Sequence, residues 1–332
     1  MKKIINKPDF VVQEMIAGMI AAHPEYLKKL PDYNCLVYKL APVTGKVGII
    51  SGGGSGHEPA HAGYIGKGML DAACLGNVFS SPTPDHFYEA AKATDSGAGV
   101  LMVIKNYSGD LMNSEMAEDM ASMEDIKIAR VIVNDDVAIE NSTYTTGRRG
   151  IAGTVFVHKI AGAKAAQGAN LAEVKRVAEK AVANIRSMGI ALTPCIVPIA
   201  GKANFSLGDN EMEVGMGIHG EPGIARCEMM TADEITTTLL DKIIHDLPYQ
   251  AGDEVAVMIN GLGATPLMEL YIMNKKVSEI CAEKGITVYR TYVGEFMTAL
   301  EMAGASISLM KLDAELKVLL DEPVDSVAFK QF

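Results

Sequence analysis

The feature that most constrains this 332-residue chain is an alternation of two patterns. Continuous apolar and β-branched runs, among them NCLVYKL, GKVGIISG, GVLMVIKN, IARVIVND, TPCIVP, EVAVMING, ITVYRTYVG and SISLMKL, read as strands buried on both faces. Between many of them lie LMNSEMAEDMASMEDI, LAEVKRVAEKAVANIRSMG, TADEITTTLLDKIIHDL and PLMELYIMNKKVSEICAEKG. These carry apolar residues three and four apart with charges opposite, the mark of amphipathic helices. The alternation predicts two α/β domains, each a mixed or mostly parallel sheet covered by helices, with antiparallel edges allowed. The helix-rich segment 150–189 is expected to form a two-helix hinge. The predicted boundary falls near 185, giving an N-terminal domain 1–185 and a C-terminal domain 186–332.

Charge and composition narrow the function classes. A formal net charge of -11 without a basic run repels phosphate backbones, and the absence of tryptophan leaves little for base stacking, so no direct nucleic-acid ligand is expected. The longest apolar runs fall far short of the ~20 residues of a membrane span. The N-terminal MKKIINKPDF breaks into Asn, Pro and Asp where a secretory signal has its apolar core, so a cytoplasmic protein is expected. Five cysteines with no C-x-x-C pair read as reduced, small hydrophobes, and the 20 methionines as adaptable packing.

Two stretches are dense in glycine. In KVGIISGGGSGHEPAHAGYIGKG, residues 46–68, the glycines begin where a strand ends, the usual ligand position in an open α/β sheet. Neither a dinucleotide fingerprint nor a Walker A loop is completed there, because His57 stands at the last fingerprint position and the GKG at 66–68 lacks the following hydroxyl. HEPAH, His57 to His61, satisfies H-E-x-x-H, but Gly56 and Pro59 oppose the helix that a zinc site on this pattern needs. In GMGIHGEPG, residues 215–223, small residues flank His219 as though to give access to its ring. VLMVIKNYSGD delivers Lys105, Asn106 and Asp110 at a strand end; IVNDDVAIENSTYTTGRRG adds Asp135, Asp136, Arg148 and Arg149, the arginines read as a solvated helix N-terminus. INGLGATPLMELY reads as another strand, turn and helix, and His23, His86, His158 and His245 as structural histidines.

The blocks SGGGSGHEPAHAGYIGKGM, SSPTPD, IKNYSGD, TTGRRG, GIHGEPG and NGLGATPLMELY, in this order over essentially the whole chain, closely resemble the dihydroxyacetone kinase family in its substrate-binding K subunit. The resemblance implies that His219 forms a hemiaminal through Nε2 with the ketone of dihydroxyacetone, the room being left by Gly217 and Gly220. It further implies that Gly54, Ser55 and Gly56 contact the substrate, that His57 acts on it as acid or base, and that Lys105 and Asp110 bind its hydroxyls, Asp110 serving as base. Glu221 is expected to orient the other nitrogen of His219. Single-chain ATP-dependent relatives carry an additional nucleotide domain. This chain is expected to be the split form's K subunit: a homodimer binding no cofactor itself, with ADP/ATP and magnesium on a separate L subunit recharged from phosphoenolpyruvate through a phosphotransferase-system M subunit. The alternative is a catalytically silent paralogue that senses dihydroxyacetone as co-activator of a transcription regulator.

Overall fold

The computed structural model describes residues 2–140 and 146–332, so the hydroxyl-rich stretch at 141–145 lies outside the described residues. The first half runs α1 (Val11–Ala22), β1 (Leu27–Lys29), β2 (Cys35–Tyr38), β3 (Gly48–Ser55), β4 (Gly66–Lys67), β5 (Ala72–Val78), α2 (Pro84–Thr94), β6 (Val100–Lys105), α3 (Ser108–Ser122), β7 (Ile128–Val133), α4 (Thr154–Ala166) and α5 (Leu171–Ala183). The second half continues β8 (Ile185–Ala191), β9 (Glu211–Val214), β10 (Ala225–Glu228), α6 (Ala232–Asp246), β11 (Glu254–Gly261), α7 (Leu267–Glu283), β12 (Thr287–Gly294), β13 (Gly304–Leu312), α8 (Ala314–Asp321), β14 (Val324–Ser326) and β15 (Lys330–Gln331).

The chain is a mixed α/β protein whose two large sheets are covered by helices. The first sheet has the order β1-β2-β5-β3-β6-β7, with β5, β3, β6 and β7 parallel and an antiparallel edge at β2 and β1. Both β3 and β6 are buried along their whole length, as continuous apolar runs require. The second sheet, β10-β9-β8-β13-β11-β12, is mixed in the other sense: β11 and β12 are parallel, and the remaining neighbours are antiparallel. In the first sheet the connection from β5 to β6 passes over β3. The chain ends of β3 and β6 therefore meet at a point where the winding reverses, which opens a crevice beyond their carboxyl ends.

Three local expectations are corrected. IRSMG, read as the end of a helix, is β8: α5 stops at Ala183, and Ile185 to Ala191 pair along β13, so the tertiary ladder overrides the helical pattern. TPCIVP is no strand and makes only an isolated bridge between Ile196 and Ala203, because Pro194 and Pro198 cannot donate to a ladder. The segment 150–189 holds two helices but is no hinge. Residues 154–163 of α4 are all buried, and Phe156 and Ile160 share a core with Leu316, Leu320 and Phe329 from the chain's end. Lys159 of α4 donates to the carbonyls of Leu319 and Glu322, at 2.8 and 2.7 Å, satisfying the end of α8.

Candidate active site

The crevice beyond β3 and β6 holds a cavity of about 290 Å³ lined by Gly54, Phe79, Ser81, Tyr107, Ser108, Gly109, Asp110 and His219. Its size is at the small end for ligand pockets and suits a small polar molecule. Each wall has a local cause. β3 ends in glycines, and a Cβ on Gly54 would lie 2.5 Å from the backbone nitrogen of Ser80, so only glycine lets these segments close on each other. β6 ends at Lys105, and α3 starts three residues later, which puts Asp110 in the first helical turn, where a carboxylate is favoured. His219 arrives on the loop between β9 and β10.

That loop is clamped from beneath. Arg149, fully buried, donates from Nε to Asp136 Oδ2 at 2.8 Å and from Nη2 to the Gly215 carbonyl at 2.7 Å. Arg148 pairs with Asp246. The two arginines are therefore internal braces and not a solvated helix end. Glu221 Oε1 lies 2.9 Å from His219 Nδ1, and Oε2 accepts from the His219 backbone N–H at 2.9 Å. The small residues serve this clamp: a Cβ at Gly217 would lie 2.1 Å from Glu221 Oε2, and one at Gly220 2.1 Å from Asn204 Nδ2. The space they leave is taken by the protein's own carboxylate and amide, which corrects the expectation that it serves as an approach path to the ring.

Electrostatics assigns the ring protons. Burial pushes the Glu221 carboxyl up, but His219, its hydrogen bonds and the Arg149 guanidinium outweigh burial and hold it at about 2. It is a carboxylate that only accepts, so His219 Nδ1 carries a hydrogen, and in the neutral ring the lone pair is on Nε2. His57 is arranged differently. Its Nδ1 donates to the Thr298 carbonyl at 2.7 Å, and its Nε2 is buried without a partner among the described residues. Burial, then His219 and Lys105, hold its pKa well below the usual range, so the ring is neutral with a free lone pair on Nε2. It can accept a hydrogen bond, and the same lowering that keeps the ring neutral makes it a weak base. Asn260 of the INGLG block supports this arrangement by accepting from the N–H groups of Phe296 and Met297, just before Thr298.

Of the sequence-predicted site residues, Gly54, Asp110 and His219 line the cavity, His57 packs against His219 with ring centroids 4.8 Å apart, and Lys105 Nζ lies 3.7 Å from Asp110 Oδ2. Burial lowers the Lys105 pKa, against the pull of Asp110. Ser55 turns its hydroxyl onto the Gly76 carbonyl at 2.7 Å, and the Gly56 N–H donates to Glu58 Oε1 at 3.0 Å. His57 and His61 lie on a turn rather than a helix, with different partners, as Gly56 and Pro59 led us to expect. Phe79 and Tyr107 were missed. Phe79 stacks on His57 at 5.1 Å from a left-handed backbone with φ 58°, which no local signal announces. Tyr107 sits edge-on to His219 at 4.7 Å with its hydroxyl buried and unpartnered among the described residues, and its place within IKNYSGD was the available clue.

With this geometry in hand, the relatives can be placed. Residues 17–328 match the Dak1 domain family. A PTS-dependent dihydroxyacetone kinase 1, dihydroxyacetone-binding subunit, from Listeria innocua is 50% identical over 99% of this chain and 100% of its own length. The solved dihydroxyacetone kinase of C. freundii superposes with a TM-score of 0.92 at 35% identity; the match covers 99% of this chain and 60% of that longer one, which has also been solved with AMP-PNP and Mg2+. A dihydroxyacetone kinase operon co-activator superposes with a TM-score of 0.90 at 34% identity, covering 96% and 98% of the two chains. The chain therefore belongs to the Dak1 family, among the dihydroxyacetone-binding subunits of dihydroxyacetone kinases.

Proposed function

We propose that this chain is the dihydroxyacetone-binding subunit of a PTS-dependent kinase, capturing the ketone on His219 and presenting a hydroxyl for phosphorylation. The observation that carries the reading is the pairing of His219 Nδ1 with the Glu221 carboxylate, which leaves a nucleophilic Nε2 on a residue lining a small cavity. The Nε2 lone pair adds to the carbonyl carbon, the π pair moves to oxygen, and that oxygen takes a proton from water. The ring is left cationic, and Glu221 balances its charge. Glycerol, with no carbonyl, has nothing to form this bond.

Asp110 accepts the proton of the primary hydroxyl as its oxygen attacks the terminal phosphorus of the nucleotide on the L subunit, the bond from that phosphorus to the ADP oxygen breaking and ADP leaving, while the Lys105 ammonium holds the substrate oxygen in place. His57 Nε2 and the Tyr107 hydroxyl, both buried and unpartnered among the described residues, are groups that substrate hydroxyls would satisfy. The glycine loop Gly54, Ser55 and Gly56 would contact the substrate, and of the three Gly54 lines the cavity. The nucleotide and its magnesium belong to a separate L subunit recharged from phosphoenolpyruvate through an M subunit. The chain itself acts as a homodimer, each copy divided near residue 185 into a domain with the glycine loop and one with His219, from which β14 returns to pair with β4.

The test is dihydroxyacetone phosphate formation by the purified chain with ATP, then with phosphoenolpyruvate and a soluble extract lacking this chain, each beside His219→Ala. Turnover in the extract alone, lost in the variant, is expected; efficient turnover by the pure chain with ATP sinks the split-kinase reading. The likeness to an operon co-activator favours one second reading, a dihydroxyacetone sensor. It predicts carbonyl capture, seen by NMR of labelled substrate, without turnover in either mixture.

A further inference from the structure

Two buried histidines stand behind Lys105 and take no part in the mechanism above. Lys105 Nζ lies 3.2 Å from His61 Nε2, and His61 Nδ1 lies 3.0 Å from His158 Nε2. All three residues are buried. An ammonium has donors only, so His61 Nε2 must accept, and the His61 hydrogen sits on Nδ1. That N–H points to His158 Nε2, with Ser51 Oγ at 3.3 Å as a second acceptor, since the Ser51 hydroxyl is itself donated to the Val103 carbonyl at 2.7 Å. The His158 hydrogen is then forced onto Nδ1, an atom buried without a partner among the described residues. The opposite tautomers would set donor against donor at Lys105.

A column ending in an unpaired N–H gives a proton no exit, so it is not a proton wire. It is also costly to keep, because a buried unsatisfied donor is destabilising. We propose that His61 is a positioning residue for Lys105: its Nε2 holds one ammonium N–H, keeps the ammonium from closing onto Asp110, and leaves it available to a substrate oxygen, while His158 locks the His61 tautomer. The chain makes room for this placement, since a Cβ on Gly53 would lie 2.4 Å from Lys105 Nζ and 3.5 Å from His61 Nε2. Burial and the Lys105 charge hold both imidazoles neutral, His158 at about 3 and His61 well below the usual range. The inference rests on the reading of Lys105 as a substrate-binding group.

Binding of 13C-labelled dihydroxyacetone to the purified full chain, followed by NMR beside a thermal melt, tests it. Lys105→Met and His61→Leu are each expected to weaken capture about 10-fold or more, the scale of one charge-assisted hydrogen bond. His61→Gln, whose amide oxygen can accept from Lys105, restores most of the affinity. His158→Leu weakens it about 3-fold, and adds nothing on top of His61→Leu, as residues acting in one chain require. Wild-type affinity in a folded His61→Leu, or a His61→Gln as weak as His61→Leu, overturns the proposal while leaving the His219 reading intact. Should His61→Leu not fold, His61→Gln and His158→Leu decide in its place. Absence of carbonyl capture in the wild type overturns the site reading and this proposal with it.

Discussion

His57 and His219 face each other with ring centroids 4.8 Å apart, yet they are tied to the fold by opposite kinds of partner. His219 gives its Nδ1 hydrogen to a carboxylate, and His57 gives its Nδ1 hydrogen to a backbone carbonyl. In the neutral ring, both bonds place the lone pair on Nε2. Only the carboxylate can neutralise a ring that becomes cationic, so His219 is suited to form a bond to carbon and His57 to remain a neutral acceptor. One residue type is thus suited to two tasks, and the partner behind the ring decides which.

Four perturbations break or sharpen this contrast. The largest effect is expected from His219→Ala, which abolishes carbonyl capture; a bound carbonyl adduct in this variant, seen by NMR of labelled substrate, would remove the contrast altogether. Next is Glu221→Gln. The amide oxygen preserves the His219 tautomer but not the negative charge, so capture should weaken by about 10- to 100-fold, equivalent to ~1.5–3 kcal/mol for a charge-assisted bond. A change of less than 3-fold in titration with labelled substrate would mean that geometry, and not charge, is what Glu221 supplies.

The third is acid stability. His158, at about 3 in the fold, titrates near 6.5 when unfolded, so the unfolded chain binds the extra proton between those values. Its contribution is fully present above pH 6.5 and falls by about 1.4 kcal/mol per unit as pH drops through that window. His57 and His61, also lowered, act in the same direction. Asp136, lifted by burial to about 6 against the pull of Arg149, opposes them, because between about 6 and its ordinary 3.8 the folded chain holds the proton. Urea unfolding between pH 5 and 6.5 should show stability falling with acid in the wild type. The slope should be shallower by about 1.4 kcal/mol per unit in His158→Gln. An unchanged slope would mean that His158 already carries its proton in the fold. The smallest effect is expected from His57→Ala, which removes one neutral acceptor and should weaken dihydroxyacetone binding by about 5- to 10-fold, or ~1 kcal/mol. A total loss of capture would move His57 from bystander to partner in bond formation.

Much of this was present in the sequence alone. Alternating strand and helix patterns announced the α/β class, the glycine-rich end of β3 marked a candidate ligand position, and the ordered motif blocks pointed to the family and to Lys105, Asp110 and His219. These are local signals, since a residue's periodicity and its glycine neighbours report on its own element. What only the tertiary structure decided is which atom faces which. The partner that sets the His57 tautomer lies 241 residues away, the one that sets His61 lies 44 away, and Phe79 and Tyr107 become walls because the sheet and its loops close around His219. Register decided β8 as well, because a ladder to β13 outweighed a helical pattern. Proton positions and cavity walls depend on contacts between distant segments, and a pattern within one segment carries no information about its distant partner.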